Sequence, residues 1–181
     1  MPLKSPELYR LARQELGPLL SGLGFKRTPK AAVASWCRPE GERWLVFWFQ
    51  PSTDHDAHSP GYSFTVEFAL ADKPAVYTGK IRRRLPRLLT DGEREELRQM
   101  ANRTIAKLPP PDMAFGNALP PAVRDLWLEG WRPRMTPYGP NEDVWFRHGD
   151  DVDAQQLMLF FRRVLPSAIG RFLEAAASAA E

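Results

Sequence analysis

The sequence has little of the chemistry from which redox and metal sites are usually built. Cys37 is the only cysteine, and there are only three histidines. A single cysteine excludes an intramolecular disulfide and a zinc site built from cysteines. A catalytic thiolate needs a positioned base and a lowered pKa. His55 or His58 is a conceivable base, but the sequence demonstrates neither requirement for Cys37. We therefore expect Cys37 to be a buried, inert thiol, and the sequence predicts no cofactor.

Long apolar runs and a strong net charge are also absent. No stretch approaches the roughly 20 apolar residues that cross a bilayer. Residues 1–5 lack the apolar core of a signal peptide. We therefore expect a cytoplasmic protein with no membrane partner. The net charge of +3 is mild, whereas dedicated nucleic-acid binders concentrate more positive charge on one face.

What is present is the material of an ordinary folded domain. The chain has 181 residues, 43% of them hydrophobic, and its six tryptophans predict a core filled by large rings. This length favours a single domain, residues 1–181. A proline-rich segment near residues 108–121 is predicted to be irregular within it.

Three apolar segments in the first half have the pattern of strands. Residues 43–50 are apolar on both alternating faces, which is typical of a central strand covered on both sides. Residues 62–70 alternate strictly between apolar and polar side chains, and residues 32–38 form the remaining strand. Turn residues join them in sequence, so we predict an antiparallel meander. Most of the aromatic side chains in these strands are expected to be core: Trp36, Trp44, Trp48, Tyr62 and Phe64.

Helices are predicted at both ends of the chain. One begins at Ser5-Pro6-Glu7, with Ser5 as its N-cap, and is expected to kink or restart at Gly17-Pro18. Thr90 and Glu93 have the spacing of a capping box.

The last part of the chain is predicted to form a strand within residues 143–148 and then a helix. That helix is expected to be capped by Asp151 or Asp153 and to break or kink at Pro166. The predicted fold class is α+β: an antiparallel meander flanked by an N-terminal helix and C-terminal helices.

A polar loop after the central strand is the densest set of candidate ligands. Imidazole and carboxylate groups both suit zinc and other divalent ions. However, all these groups lie on one segment, whereas metal sites usually draw on several rigid elements. A solvated loop is therefore the favoured interpretation, with Gln50 as a polar group at a pocket mouth. The candidates for a ligand or metal site are Gln50, Ser52, Asp54, His55, Asp56 and His58.

A basic run follows the meander and is the one local concentration of charge. Read as a helix, it turns Ile81 and Leu85 inward and leaves its basic residues exposed. It contains no aromatic side chains that single strands of nucleic acid would need for stacking. We interpret it as a solvated face, with an acidic protein partner as the next interpretation and nucleic acid after that. The basic residues are Lys80, Arg82, Arg83, Arg84 and Arg87.

The order of several short motifs is similar to a known family. Gly24-Phe25-Lys26-Arg27, the strand around Trp36, Gln50-Pro51-Ser52, and the segment from Gly61 to Val66 occur in that order, mostly in the first ninety residues. Together they resemble the bacterial domain-of-unknown-function family 4304. The resemblance implies an α+β fold and brings no activity or catalytic residues.

The sequence therefore predicts a non-enzymatic protein-interaction or regulatory module. The basic run contrasts with an acidic set, and such patches steer association with a complementary partner. The acidic set is Glu142, Asp143, Asp150, Asp151 and Asp153. Two alternatives are a metal-assisted hydrolase or small-ligand-binding protein that uses residues 52–58, and a weak nucleic-acid binder that uses residues 80–87.

Overall fold

The computed structural model describes residues 3–28, 34–51, 62–74, 79–108, 120–123, 125–126 and 145–178. The elements are α1 (Ser5–Gly22), β1 (Lys26–Arg27), β2 (Ala34–Glu40), β3 (Arg43–Pro51), β4 (Tyr62–Ala71), β5 (Gly79–Arg84), a 3-10 helix (Leu85–Leu88), α2 (Asp91–Lys107), β6 (Phe146–His148) and α3 (Asp151–Ser178). The fold is α+β, as predicted. None of the helices within these ranges is long and apolar enough to cross a membrane.

The strands form one antiparallel sheet in the order β1-β2-β3-β4-β5. β3 is central, as its two apolar faces predict. β6 pairs with the first residues of β4. Phe64 pairs with Pro51 of β3 on one side and with Phe146 of β6 on the other. β5 and β6 therefore lie end to end along the same edge of β4.

Two apolar clusters lie on the two faces of this sheet. The larger one joins α1, α2 and α3 to side chains such as Leu45, Phe47 and Phe68. Because strand residues alternate between faces, the residues between them point the other way. The smaller cluster lies there and consists of Cys37, Val46, Trp48, Ala69 and Ala71, with Trp44 packed against it.

The helix α1 runs through its proline without a break. Pro18 lies inside the helix, between the fully buried Leu16 and Leu20. The predicted restart at Gly17-Pro18 is therefore wrong, because burial of the apolar stripe on both sides of Pro18 outweighs the cost of the missing hydrogen bond. The N-cap is Lys4 rather than Ser5, and its backbone N–H donates to the Glu7 carboxylate at 2.9 Å.

The long helix α3 also continues through a proline. Pro166 lies inside it, and Leu165 and Ala168 on either side are fully buried, so the predicted break is wrong. Its cap is neither Asp151 nor Asp153, the two residues predicted for it. The Asp150 carboxylate accepts the Asp153 backbone N–H at 2.8 Å, so Asp150 is the cap.

The capping box of α2 is confirmed and also ties two helices together. Glu93 donates its backbone N–H to the Thr90 hydroxyl, and Thr90 donates its own to the Glu93 carboxylate at 2.7 Å. The same carboxylate accepts a hydrogen bond from Arg171 of α3 at 2.8 Å. The predicted irregular segment near 108–121 lies outside the described residues except for Leu108, Pro120 and Pro121.

Candidate basic-aromatic binding face

Three arginines share the face of the sheet that points away from α1, α2 and α3. They lie on β5 and β6, and each is paired with a residue of β4. These three β4 residues are separated from one another by even numbers of positions, so they point to the same face of the sheet. The pairs are Arg82 with Ala69, Arg84 with Glu67, and Arg147 with Ser63. Directly opposed residues point to the same face of a sheet, and Ala69 belongs to the smaller cluster. We call Arg82, Arg84, Trp145 and Arg147 the arginine–tryptophan row.

Arg82 is held in place by a carboxylate and an aromatic ring. Its Nε donates to Glu67 Oε1 at 2.8 Å and its Nη2 to Glu67 Oε2 at 2.9 Å. Its Cζ lies 5.4 Å from the centroid of the Trp48 ring. Glu67 is 7% exposed and Trp48 6%, whereas the Arg82 side chain is 39% exposed. A bidentate pair and a cation–π contact together fix the plane of the guanidinium group.

Arg84 and Trp145 connect β5 to β6. The Cζ of Arg84 lies 5.5 Å from the centroid of the Trp145 ring. Trp145 directly precedes β6, and Arg147 within β6 is half-buried. The gap between the two short strands is therefore bridged by a stacked arginine, and the row continues across it.

The basic run is a strand followed by a 3-10 helix, so its interpretation as a helix is wrong. Pairing with β4 determines the structure of residues 79–84, because cross-strand packing overrides a local pattern that suits either structure. Arg82 and Arg84 consequently point to one face, while Arg83 lies on the other and donates from Nη1 to the Arg82 carbonyl at 2.8 Å.

The other basic residues lie apart from the row. The register shifts between Leu70/Ala71, so Lys80 stands at a β-bulge, and Arg87 is exposed on the 3-10 helix. The aromatic partners that the run itself lacks are supplied by β3 and by Trp145. Sequence reasoning missed Glu67, Trp145 and Arg147 as site residues. The only sequence signal for any of these three residues is that Glu67 occupies a polar position in the alternating pattern of residues 62–70.

Gln50 borders the same face, while the rest of the polar loop lies outside the described residues. Gln50 is half-buried near the end of β3, paired with Thr65, and shares a face with Trp48 two residues before it. The candidates Ser52, Asp54, His55, Asp56 and His58 are not among the described residues. In the described part of the chain, no group of three His, Cys, Asp or Glu side chains could hold a metal ion.

A buried histidine and two aspartates join β6 to α3. His148 has no exposed surface, and burial lowers its pKa to about 4 despite the opposing charges of Asp153 and Asp150. The Asp153 carboxylate accepts the Gly149 backbone N–H at 3.1 Å and Lys107 Nζ at 3.0 Å. The hydrogen bond to Asp153 raises the pKa of Lys107. This group of residues fastens the end of α2 to the start of α3.

The predicted acidic patch is therefore not one surface. Asp153 is buried and paired with Lys107, and Asp150 caps α3. Asp151 is exposed, while Glu142 and Asp143 lie outside the described residues. Since a buried, paired carboxylate cannot steer a partner, Asp153 drops out of the acidic set.

A shallow groove lies between α2 and α3 and has a volume of about 320 Å³. Its lining residues are Glu96, Met100, Arg103, Gln156, Leu159, Phe160 and Arg163. Leu159 is 51% exposed at its rim. None of the residues singled out from the sequence lies in it.

Cys37 is buried, as predicted, and its sulfur accepts the Thr28 hydroxyl at 3.6 Å. It lies on the same face as the row but within the smaller apolar cluster. A cysteine packed in this way behaves as a small apolar side chain.

No protein-family model, no curated protein and no solved structure matches this chain. The resemblance to the domain-of-unknown-function family 4304 thus stays a prediction. The site has to be interpreted from its own geometry.

Proposed function

We propose that this protein is a non-enzymatic interaction module that binds an acidic segment of a partner protein on the arginine–tryptophan row. The observation that carries the proposal is the strand register, which puts Arg82, Arg84 and Arg147 on one face along one edge of the sheet. The guanidinium groups of Arg82 and Arg84 are stacked on tryptophan rings. A cytoplasmic location agrees with this role and stays a prediction.

The preorganisation of the arginines favours binding of carboxylates. A flexible arginine loses rotamer freedom when it binds, and this loss reduces affinity. Arg82 and Arg84 are already ordered by their ring contacts, so less is lost when a partner carboxylate docks. The planar guanidinium group also matches the two oxygens of a carboxylate.

Nucleic acid is the weaker interpretation of the same row. Single strands bind through bases stacked on accessible rings, and Trp48 is only 6% exposed beneath Arg82. The row contributes only three arginines, and Glu67 offsets the charge of Arg82, so the row has little charge with which to neutralise a phosphate backbone. The alternative function through residues 52–58 stays a prediction.

The test compares two double variants of equal charge. Arg84→Gln with Arg147→Gln removes two charges from the row. Arg10→Gln with Arg43→Gln removes two from exposed positions of α1 and of the start of β3. The probe is a short synthetic peptide with glutamate at every second position, titrated in a calorimeter. We expect the row variant to bind at least about tenfold more weakly, and the control to bind like the unmodified protein.

A native pull-down extends the test to the cellular partner. The unmodified protein should recover a stoichiometric protein that the row variant does not. Equal binding of the glutamate peptide by the two double variants would disprove a role for the row. Failure of the unmodified protein to bind the peptide at all would contradict the proposed function.

A further inference from the structure

The outer side of α3 carries an exposed apolar stripe beside the groove that α2 and α3 form. Val152 and Leu159 are each 51% exposed. They lie seven positions apart, which puts them two turns apart on one side of the helix. Leu159 is at the rim of the groove, and Met100 and Phe160 are buried in its floor. The groove thus offers apolar surface to the side chains of a partner.

Two ion pairs flank the groove and set its length. Glu96 of α2 pairs with Arg163 of α3, and Lys107 of α2 pairs with Asp153 of α3 at 3.0 Å. Residue numbers rise along α2 while they fall along α3, so the two helices run antiparallel. Positions 96 and 107 are roughly 16 Å apart, since each residue advances a helix by about 1.5 Å. A helical segment of about three turns has the same length.

One cation in the groove lacks an acidic partner. None of the ion pairs within the described ranges involves Arg103, which is exposed on α2 and lies across the groove from Gln156. Arg163, by contrast, is paired with Glu96, and its Cζ lies 5.3 Å from the centroid of the Phe160 ring. The lining contains two arginines and one glutamate, so its net charge is positive and complements an acid.

The walls of the groove favour a helix as the occupant. The main-chain N–H and C=O groups of α2 and α3 are bonded within each helix, so an extended peptide would find no backbone partners there. A helix satisfies its own backbone and packs its side chains into the space between two others. Two copies of this chain meeting groove to groove would bring like net charges together. Charge therefore favours an acidic helix of another protein.

We propose that the groove between α2 and α3 binds an amphipathic helix of a partner protein. Apolar side chains of that helix pack over Met100 and Phe160, and an acidic side chain pairs with Arg103. The groove lies on the helix-covered side of the sheet, opposite the arginine–tryptophan row, and shares no residue with it. The inference therefore goes beyond the proposed function and does not depend on it.

The experiment uses two synthetic peptides that differ in one charge. The acidic helical peptide consists of alanine and glutamine, is about five turns long, and has one leucine per turn on one face with a glutamate beside them. The basic helical peptide has lysine in place of that glutamate. Calorimetry measures the binding of both peptides to the unmodified chain, to Leu159→Gln and to Arg103→Glu.

The controls change the same kinds of residue elsewhere. Leu126→Gln replaces a leucine that is 69% exposed and does not line the groove. Arg10→Glu reverses an exposed charge on α1. Leu159 and Arg103 are themselves exposed, so circular dichroism should show that all four variants keep the fold.

We expect the unmodified protein and both controls to bind the acidic helical peptide equally well. Leu159→Gln should bind it about tenfold more weakly, because the apolar contact at the rim is lost. Arg103→Glu should bind it about fivefold more weakly and should prefer the basic helical peptide. The row variant, Arg84→Gln with Arg147→Gln, should bind it as the unmodified protein does.

The possible failures are distinguishable. The inference is overturned if neither helical peptide binds the unmodified protein, or if Leu159→Gln binds as tightly. A continued preference of Arg103→Glu for the acidic helical peptide would refute the acidic contact, and with it the stated chemistry of the partner. Sedimentation that finds a dimer of the unmodified chain but a monomer of Leu159→Gln would assign the groove to a second copy. None of these results affects the proposed function, which is tested on other residues.

Discussion

The two faces of the same sheet are built from the same strands but differ in chemistry. On the helix-covered face, Phe64 packs against Phe49, Phe146 and Phe161 with ring centroids 4.8 to 5.8 Å apart. On the opposite face, Trp48 lies beneath Arg82, and Glu67 forms an ion pair with Arg82. The short strand β6 shows the contrast within three residues, because Phe146 belongs to the helix-side cluster and Arg147 to the row.

This contrast separates stability from recognition. Rings packed against rings exclude water and contribute mainly to the free energy of unfolding. Arginines stacked on tryptophans remain charged and partly accessible, so their energetic contribution to folding is modest. Substitutions on the helix side should therefore unfold the protein, whereas those on the row should change binding first.

The largest effect is expected from a cavity on the helix side. Phe64→Ala should lower the free energy of unfolding by about 3–5 kcal/mol, because Phe64 is fully buried among three other rings. Urea denaturation followed by tryptophan fluorescence measures it. Phe64→Leu, which keeps most of the volume, is the control and should lose much less. A loss below about 1 kcal/mol for alanine would mean that this side is not the main core.

His148 should make the helix side sensitive to pH. Its pKa is lowered by burial from 6.5 to about 4 in the folded protein. The unfolded chain therefore takes up a proton first as the pH falls. The stability contributed by the neutral imidazole is complete above pH 6.5 and is lost progressively towards pH 4, by up to roughly 3 kcal/mol.

The measurement is urea unfolding at several pH values across this window. Other carboxylates titrate nearby, so the informative quantity is the difference between the unmodified protein and His148→Gln. The slope of stability against pH should be flatter in the variant between pH 6.5 and 4. Parallel slopes would show that the imidazole is not the group responsible.

A smaller loss of stability is expected when the row loses its carboxylate. Glu67→Ala leaves the Arg82 charge without its bidentate partner. Since Arg82 is 39% exposed, water compensates in part and we expect a loss of about 1–2 kcal/mol. The control is Glu40→Ala, whose partner Arg38 lies on a different part of the sheet. If Glu67→Ala lowered the free energy of unfolding as much as Phe64→Ala, the two faces of the sheet would not differ in their contribution to stability.

The smallest effect should come from Arg82→Lys. Lysine keeps the charge but cannot make the bidentate pair or stack as a plane on Trp48. We expect a stability loss of no more than about 1 kcal/mol, accompanied by weaker binding of the glutamate peptide. If Arg82→Lys reduced the stability but left binding of the glutamate peptide unchanged, Arg82 would contribute to folding and not to binding.

The sequence predicted the part of the fold that depends on local patterns. The two apolar faces of residues 43–50 and the strict alternation of residues 62–70 identified β3 and β4. The spacing of Thr90 and Glu93 identified the start of α2. These patterns are readable from the sequence because burial of one face repeats apolar residues at a fixed spacing, and a capping box places its two residues three positions apart.

The candidate site could not be predicted in the same way, because it depends on pairings distant in sequence. Arg84 and Trp145 meet only because β5 and β6 share an edge of β4. The arginine-rich run fits either a helix or a strand by its own pattern, and its cross-strand partners decide between them. The prediction for residues 52–58 stays untested, while Gln50 proved to lie on the row's face.

The end-to-end arrangement of β5 and β6 has a further consequence for the chain in solution. A long, flat, apolar edge strand pairs readily with the edge of another molecule and leads to aggregation. Here the strands along this side of β4 are short, a β-bulge interrupts the register near Lys80, and arginines occupy three positions on the face that points away from α1, α2 and α3. The groups proposed to attract an acidic partner thus also repel a second copy of the chain, so colloidal solubility and recognition depend on the same side chains.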